Sequence, residues 1–263
     1  MNTVLLLKLV LVPALIAGVT FAGRRWGPAV AGWLSAFPIV AGPILWFIAL
    51  EQGVAFAAQA AVGTLSAVLG MLAFGLSYAW AATRFSWPLS LPLAYGGYAL
   101  AVVFLEWWSA GLPAAAAVVL LGLWLAPRFY PRMEAATATP ARPPRDMLLR
   151  MLLGAALVLG VTWFAAQLGP SLSGILAMFP VMGTVLVLFT HRSAGAAAAV
   201  QLLRGMVLGF YSFSTFCAVL AWTLTTSSIG MAFLCAVAAA GLVQLLSRLW
   251  MSKHGLAVVR RVT

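Results

Sequence analysis

Apolar runs of 18 residues or more recur along this chain, and each is long enough to cross a lipid bilayer as a helix. Hydrophobic residues make up 64% of the 263 residues and charged residues only 7%, which excludes an ordinary soluble domain. A β-barrel is disfavoured because its strands alternate in short segments. The sequence therefore predicts an all-α polytopic membrane protein whose first partner is the lipid bilayer.

Glycines, prolines and charges divide the apolar runs into about nine transmembrane helices. Their predicted ranges are 3–23, 27–50, 53–83, 88–108, 111–126, 146–166, 168–190, 194–223 and 227–250. The fifth is short, so we leave open whether it is re-entrant. A basic, Pro- and Ala-rich linker at 127–145 follows it, and residues 251–263 form a basic C-terminal tail.

The sequence matches itself after a shift of 142 residues, so that Phe37-Pro38 falls on Phe179-Pro180. Further matches pair Gly53, Gln59, Gly63 and Trp80 with Gly195, Gln201, Gly205 and Trp222. Each repeat, 1–108 and 146–250, holds four predicted helices, and 109–145 contain the connecting helix and the linker. Because a single connecting helix inserts the second copy upside down, we expect a 4+1+4 inverted repeat.

The charges agree with this arrangement. Basic residues lie in the loops after the odd-numbered helices and at the C-terminus, whereas the loops after the even-numbered helices contain Glu51 and Glu106. The positive-inside rule then puts the N-terminus outside and the C-terminus in the cytoplasm, and we expect a bacterial inner membrane. The net charge of +11 is thus an orientation signal, and nucleic acid is not an expected partner.

Both Phe-Pro steps lie about 11 residues into their predicted helices, which is near mid-bilayer at a rise of 1.5 Å per residue. Proline removes a backbone donor and kinks a helix, so the second and seventh helices are predicted to be broken. Gly42 and Gly183, just beyond, could widen the breaks. Broken helices in inverted repeats are typical of transporters; two simple proline kinks packed against neighbouring helices are the alternative.

Charged residues inside a bilayer are costly and are therefore functional candidates. Arg204 lies about ten residues into the predicted eighth helix, and Gln201, the counterpart of Gln59, lies one turn earlier. A guanidinium could bind an anionic or carbonyl group of a substrate, or it could cap backbone carbonyls of the protein. Lys8 and Arg150 match across the repeat and could instead extend to the membrane interface.

Together these residues form one predicted substrate-binding set. Its members are Phe37, Pro38, Gly42, Gln59, Phe179, Pro180, Gly183, Gln201, Arg204, Lys8 and Arg150. His191 and Arg192 are interpreted as a solvated loop pair, and both cysteines as buried thiols. Catalytic pairs, metal-ligand clusters and phosphate-binding loops are missing from the sequence, so neither an enzyme nor a cofactor is expected.

The second half resembles the GlpM-type family of small bacterial inner-membrane proteins. The shared features are the step Ala177–Pro180, His191, Gly195 and the pair Arg204-Gly205. The resemblance implies a fused, inverted duplication of such a unit with an envelope-linked role. In the first half, Ala49 and Val62 stand at the positions of His191 and Arg204.

The sequence as a whole favours a secondary transporter or flippase. It would move a small anionic or polar solute, or a lipid head group, by alternating access between the inverted repeats. The alternative is a non-transporting membrane partner or assembly factor of an envelope biosynthetic complex. The sequence does not set the oligomeric state, and a homodimer is left open.

Overall fold

A computed structural model of the protein describes residues 3–108, 111–133, 146–167 and 179–253, and these residues form helices and the turns between them. The helices are α1 (Thr3–Trp26), α2 (Pro28–Ser35), α3 (Ala41–Gln52), α4 (Val54–Ala81), α5 (Trp87–Trp107), α6 (Leu112–Phe129), α7 (Met147–Gln167), α8 (Val181–Thr223) and α9 (Ile229–Lys253). The described chain is therefore all-α, as predicted.

Six stretches among the described residues are long and apolar enough to cross a membrane. They are Leu9–Trp26, Val54–Ala81, Trp87–Trp107, Leu112–Phe129, Val181–Thr223 and Ile229–Met251, and the shorter Met147–Trp163 is also apolar. Large apolar side chains such as Val10 and Leu100 remain 71% and 75% exposed. Contiguous exposed apolar surface of this kind suits contact with lipid, so the protein is embedded in a membrane.

The helix predicted over 27–50 is interrupted at Phe37-Pro38. Helix α2 ends at Ser35 and α3 begins at Ala41. Between them the amide of Phe37 donates to the Leu34 carbonyl at 3.2 Å, a short i→i−3 bond. Since Pro38 has no amide hydrogen, the regular helical ladder cannot continue through this point. The chain between the two helices is instead held by turns, in which Ile39 donates to the Phe37 carbonyl and Gly42 to the Pro38 carbonyl.

Helix α8 reverses direction at Gly195, whose φ of 82° and ψ of 174° are not helical. A Cβ on Gly183 would lie 3.6 Å from Cε of Met206. In a straight helix these two residues would be about 34 Å apart. The segments 181–194 and 196–223 are therefore two limbs of a tight helical hairpin, as the separate predicted helices 168–190 and 194–223 imply.

A large apolar core lies where α4, α5, α6 and α8 meet, and it includes the fully buried Phe74, Phe216 and Leu123. Helices α2 and α9 pack against α8 from the other side. A second, smaller cluster joins α1, α7 and the first limb of α8 through Ile16 and Phe189. These contacts hold the break between α2 and α3 inside the helix bundle.

Most predicted helix ends agree with the structure to within a few residues. The predicted fifth helix corresponds to α6, which continues to Phe129 and reaches spanning length, so it need not be re-entrant. Residues 168–178 of the predicted seventh helix, the linker residues 134–145 and the tail residues 254–263 lie outside the described residues. The described part of the seventh helix begins at Val181, directly after Pro180.

Candidate functional site

Both Phe-Pro steps border one large cavity of about 1180 Å³. Helices α3, α4, α5 and α8 provide most of its lining, α1 contributes Val12, and α7 contributes two valines and Thr162. Phe37 reaches it from the α2–α3 break, while Phe179 and Pro180 reach it from the residues preceding α8. Two segments far apart in the sequence thus meet at one central space.

The cavity is long, and it runs parallel to α4. Its lining residues on α4 extend from Phe56 to Met71, a distance of about 22 Å along the helix. Helix α5 runs antiparallel to α4, because Gly97 lies beside Ser77 while Gly70 lies beside Val102. Continuing these pairs along the two helices places Glu106, near the end of α5, level with residues 66–68 of α4.

The mouth of the cavity lies where α5 is followed by α6. Exposed Glu106, the half-buried Trp108 and Gly111 lie there, at the junction between α5 and α6. The Phe-Pro steps border the cavity near its Met71 end, since Phe179 contacts Tyr98 and Tyr98 lies beside Gly70.

Five residues of the predicted substrate-binding set line this cavity. They are Phe37, Gln59, Phe179, Pro180 and Gly183. Pro38 and Gly42 instead line a second, apolar cavity of about 390 Å³, which Phe37 also borders. Phe37 is thus the side chain that stands between the central cavity and the smaller one.

The two Phe-Pro steps have the same local hydrogen bonding. The amide of Ile39 donates to the Phe37 carbonyl at 2.8 Å, and the amide of Val181 donates to the Phe179 carbonyl at 2.7 Å. Both bonds close an i→i+2 turn around the proline. The two steps therefore share the same local turn.

Arg204 lies elsewhere, which corrects the predicted grouping of this residue with the Phe-Pro steps. Its guanidinium donates to the backbone carbonyls of Tyr130 and Pro131, each at 3.3 Å, and lies 5.9 Å from the centre of the Tyr130 ring. It is not among the described residues lining the cavity. Counting residues along the helix predicts how deep Arg204 lies in the membrane. It does not predict that Tyr130 and Pro131, which follow α6, lie beside its guanidinium.

Gln201 and Arg150 are also absent from the described lining of the central cavity. Arg150 is only 7% exposed, pairs with Asp146 at 3.1 Å and lies 4.8 Å from the centre of the Phe189 ring. It therefore packs inside the bundle instead of extending to the membrane interface. Lys8 lies within α1, and its side chain falls outside the described residues.

An aromatic group behind Phe179 was not predicted from the sequence. The Phe179 ring lies 5.0 Å from the ring of Tyr95 and 6.2 Å from that of Tyr98, centre to centre. The Tyr95 hydroxyl is hydrogen-bonded to Thr184 Oγ1 at 3.0 Å. Helix α5 thereby holds the second Phe-Pro step in place. The only sequence signal was the pair of tyrosines three residues apart in an apolar helix.

His191 has a buried partner, contrary to its interpretation as part of a solvated loop pair. Its Nδ1 lies 2.9 Å from the hydroxyl of Tyr78, and the two rings are edge to face at 5.9 Å. Arg192 beside it is exposed. The Tyr78–His191 contact ties the end of the first limb of α8 to α4.

Among the described residues, no group of histidine, cysteine and acidic side chains could hold a metal ion. Cys217 is buried as predicted, but Cys235 is exposed. In an apolar helix of a membrane protein, an exposed thiol faces lipid as readily as any other small side chain. The described side chains that line the cavity present apolar, hydroxyl, amide and carboxylate groups.

The fold and the cavity together define a class: a helical membrane protein with a deep, mostly apolar central cavity at an interrupted helix. Comparisons with protein-family models, curated proteins and solved structures find no match to this chain. The resemblance to the GlpM-type family stays a prediction.

Proposed function

We propose that this protein is a membrane transporter or flippase that moves an amphipathic substrate through the central cavity by alternating access. The observation that carries the proposal is the meeting of both Phe-Pro steps at one cavity of about 1180 Å³. Small-molecule sites usually measure roughly 300–1,000 Å³. The size and the mostly apolar lining favour a lipid or another amphiphile over the small anion expected from the sequence.

The proposal includes an inverted repeat of nine crossings, on which alternating access would depend. The proposal counts α1, α2 with α3, α4, α5, α6, α7, the two limbs of α8, and α9. Gly53 between α3 and α4 has φ 88° and ψ 165°, which is close to the geometry of its match Gly195. Val12 on α1 would lie 3.8 Å from a Cβ on its match Gly154, as expected near a pseudo-two-fold axis.

Matching positions in the two repeats differ in environment, as a transporter open to one side requires. Ala60 lines the cavity. Its match Leu202 is only 1% exposed, and its carbonyl lies directly against Gly32 of α2. The helix face around Ala60 is therefore open to the cavity, whereas the matching face around Leu202 is closed by packing against α2. If the face around Leu202 opened and the face around Ala60 closed, the substrate would become accessible from the opposite side of the membrane.

Hydrogen bonds between α2 and α9 strengthen the closed side. The indole N–H of Trp33 donates to Ser247 Oγ at 2.8 Å, and the amide of Gln244 donates to the Trp33 carbonyl at 3.2 Å. Opening this side requires breaking both bonds and separating α2 from α8. The free energy of those contacts would therefore set how often the protein changes from the state open at the mouth to the state open on the opposite side.

Orientation and location belong to the same proposal. The positive-inside distribution supports an N-terminus outside and a C-terminus in the cytoplasm, which would open the cavity mouth at Glu106 to the outside. A bacterial inner membrane and an origin by fusion of two GlpM-type units are consistent with the inverted repeat. In this arrangement the contact of α2 with α8 and α9 would close the cytoplasmic side.

The alternative is a non-transporting membrane partner or assembly factor. Such a role requires no central cavity, and a dry, packed centre around Pro38 and Pro180 would favour it. The open space at the Phe-Pro steps therefore supports transport over this alternative.

Cysteine accessibility tests the proposal without knowledge of the substrate. Single cysteines are introduced as Ala60→Cys and Leu202→Cys in a background carrying Cys217→Ala and Cys235→Ala. A membrane-impermeant maleimide is then added to one face or the other of sealed, oriented vesicles. We expect the Ala60→Cys variant to react from the mouth side and the Leu202→Cys variant to react, more slowly, from the opposite side.

The reaction of the Leu202→Cys variant decides between the two functions. Alternating access must expose this buried position for part of the time, whereas a static assembly factor keeps it packed against Gly32. A variant that keeps only Cys217, which is fully buried, provides the baseline rate. No reaction of the Leu202→Cys variant above that baseline would contradict transport by this mechanism.

A further inference from the structure

The polar groups of the central cavity point to the chemistry of its ligand. Glu106 at the mouth is the one formally charged side chain among the described lining residues. Of the three basic side chains that the sequence placed in the site, Arg204 and Arg150 are engaged with backbone carbonyls and with Asp146, and that of Lys8 lies outside the described residues. The described cavity therefore offers an anion no cationic partner, but it offers a cation a carboxylate.

Three of the hydroxyl groups that line the cavity are available as acceptors. Ser35 Oγ donates to the Gly32 carbonyl at 2.7 Å, Thr64 Oγ1 to the Ala60 carbonyl at 2.8 Å, and Ser66 Oγ to the Val62 carbonyl at 3.1 Å. Each hydroxyl has one hydrogen and two lone pairs. Because the hydrogens are used within their own helices, the groups present lone pairs to a ligand.

The rest of the lining is apolar over most of the length of the cavity. Ile44, Leu45 and Ile48 of α3 line it together with Ala60, Ala67 and Met71 of α4. A hydrocarbon chain of ten or more carbons fits within the roughly 22 Å of lined length along α4. Burial of such a chain is favourable by about 0.8 kcal/mol per CH₂ group in contact with apolar surface.

We infer that the cavity recognises an amphiphile with a cationic, hydrogen-bond-donating head, of which a primary ammonium is the simplest example. Glu106 supplies the opposite charge, and Ser35, Thr64 and Ser66 accept hydrogen bonds along the path to the Phe-Pro steps. The apolar chain occupies the space between α3 and α4. This inference rests on the proposed function and names its substrate class, which differs from the anion predicted from the sequence.

Binding of a chain-matched series tests the inference. The protein is placed in nanodiscs of phosphatidylcholine, and affinities for decylammonium, decanol and decanoate are taken from the concentration dependence of the thermal unfolding midpoint. We expect decylammonium to bind about tenfold more tightly than decanol, equivalent to about 1.4 kcal/mol. Decanoate should bind more weakly than decanol, because its charge has the sign of Glu106.

Substitutions of Glu106 identify the source of the preference. The Glu106→Gln variant should bind decylammonium no more tightly than decanol, and the Glu106→Lys variant should prefer decanoate. Glu51→Gln provides the matched control, because Glu51 is also an exposed glutamate near a helix end but does not line the cavity. It should leave all three affinities unchanged. The unfolding midpoint without ligand shows that each variant is folded.

Three results would overturn the inference: equal or tighter binding of decanoate, unchanged selectivity in the Glu106→Gln variant, or no binding of any of the three probes. None of them bears on the cysteine accessibility experiment, which uses no amphiphile. If the Leu202→Cys variant reacts from the opposite side while the ammonium preference fails, alternating access stands and the ligand class is wrong. If the preference holds while the Leu202→Cys variant stays unreactive, the cavity binds cationic amphiphiles without transporting them.

Discussion

Gly63 and Gly205 occupy matching positions in the two repeats, yet they have opposite surroundings. A Cβ on Gly205 would collide with the backbone carbonyl of Ala29, so α8 and α2 touch backbone to backbone there. Gly63 lines the central cavity, and no described atom lies within 4 Å of a Cβ built on it. The same residue type therefore serves close helix packing in one repeat and open space in the other.

The same substitution at these two glycines should have opposite effects on stability. Gly63→Ala should stabilise the protein by about 0.5–1 kcal/mol, because alanine loses less backbone entropy in a helix. Gly205→Ala should destabilise it by about 1–3 kcal/mol, because the added methyl group forces α2 away from α8. Thermal unfolding in detergent micelles measures both changes. Destabilisation of equal size at the two sites would show that the repeats are equally packed.

The turn at Gly195 should resist substitution for a different reason. Its φ of 82° lies in the left-handed region, and an L-residue there costs about 1–2 kcal/mol. We therefore expect Gly195→Ala to lower the unfolding free energy by that amount, even though a Cβ would meet no described atom. Gly96→Ala is the control, since Gly96 lies within α5 and has equal room but an ordinary helical φ. A neutral Gly195→Ala variant would argue against the hairpin in α8.

Loss of Arg204 should weaken the fold rather than ligand binding. The Arg204→Ala variant leaves the carbonyls of Tyr130 and Pro131 without their donor, and we expect a destabilisation of about 1.5–3 kcal/mol. The preference for decylammonium over decanol should be unchanged, because Arg204 is not among the described residues lining the cavity. Unfolding and probe titration of the same sample separate the two effects. Normal stability with altered selectivity would restore Arg204 to the binding site.

The hydrogen bond between Tyr95 and Thr184 should hold the second Phe-Pro step against α5. A double-mutant cycle with Tyr95→Phe and Thr184→Val is expected to give a coupling of about 0.6 kcal/mol, the usual value between transmembrane helices. Thr184→Ser keeps the hydroxyl and should keep most of the coupling. Additive effects of the two single substitutions would mean that this contact contributes nothing to stability.

Much of the helical organisation could be predicted from the sequence, because it depends on local properties. Apolar runs bounded by glycine, proline and charge set the helices, and the missing amide of Pro38 interrupts one of them. The self-match of the sequence marked Gly53 and Gly195, which share a positive φ that favours glycine. These features require no knowledge of which helices are neighbours.

The composition of the candidate site could be predicted only in part. Phe37, Phe179 and Pro180 were assigned to the cavity because a broken helix exposes backbone wherever it occurs. Glu106 was interpreted as a loop residue that marks orientation, yet it lines the cavity mouth. Distance along a helix gives the depth of a side chain, but its direction and its neighbours depend on how the helices pack.

The sequence by itself determined that this chain is a helical membrane protein with a proline-interrupted helix and two self-similar halves, since hydropathy, proline and glycine act within a few residues. Only the tertiary structure decided which polar groups share a space. Contacts between residues as distant as Arg204 and Tyr130, or Trp33 and Ser247, remove some polar groups from the cavity. The carboxylate of Glu106 and the lone pairs of three hydroxyl groups are among the polar groups that line it.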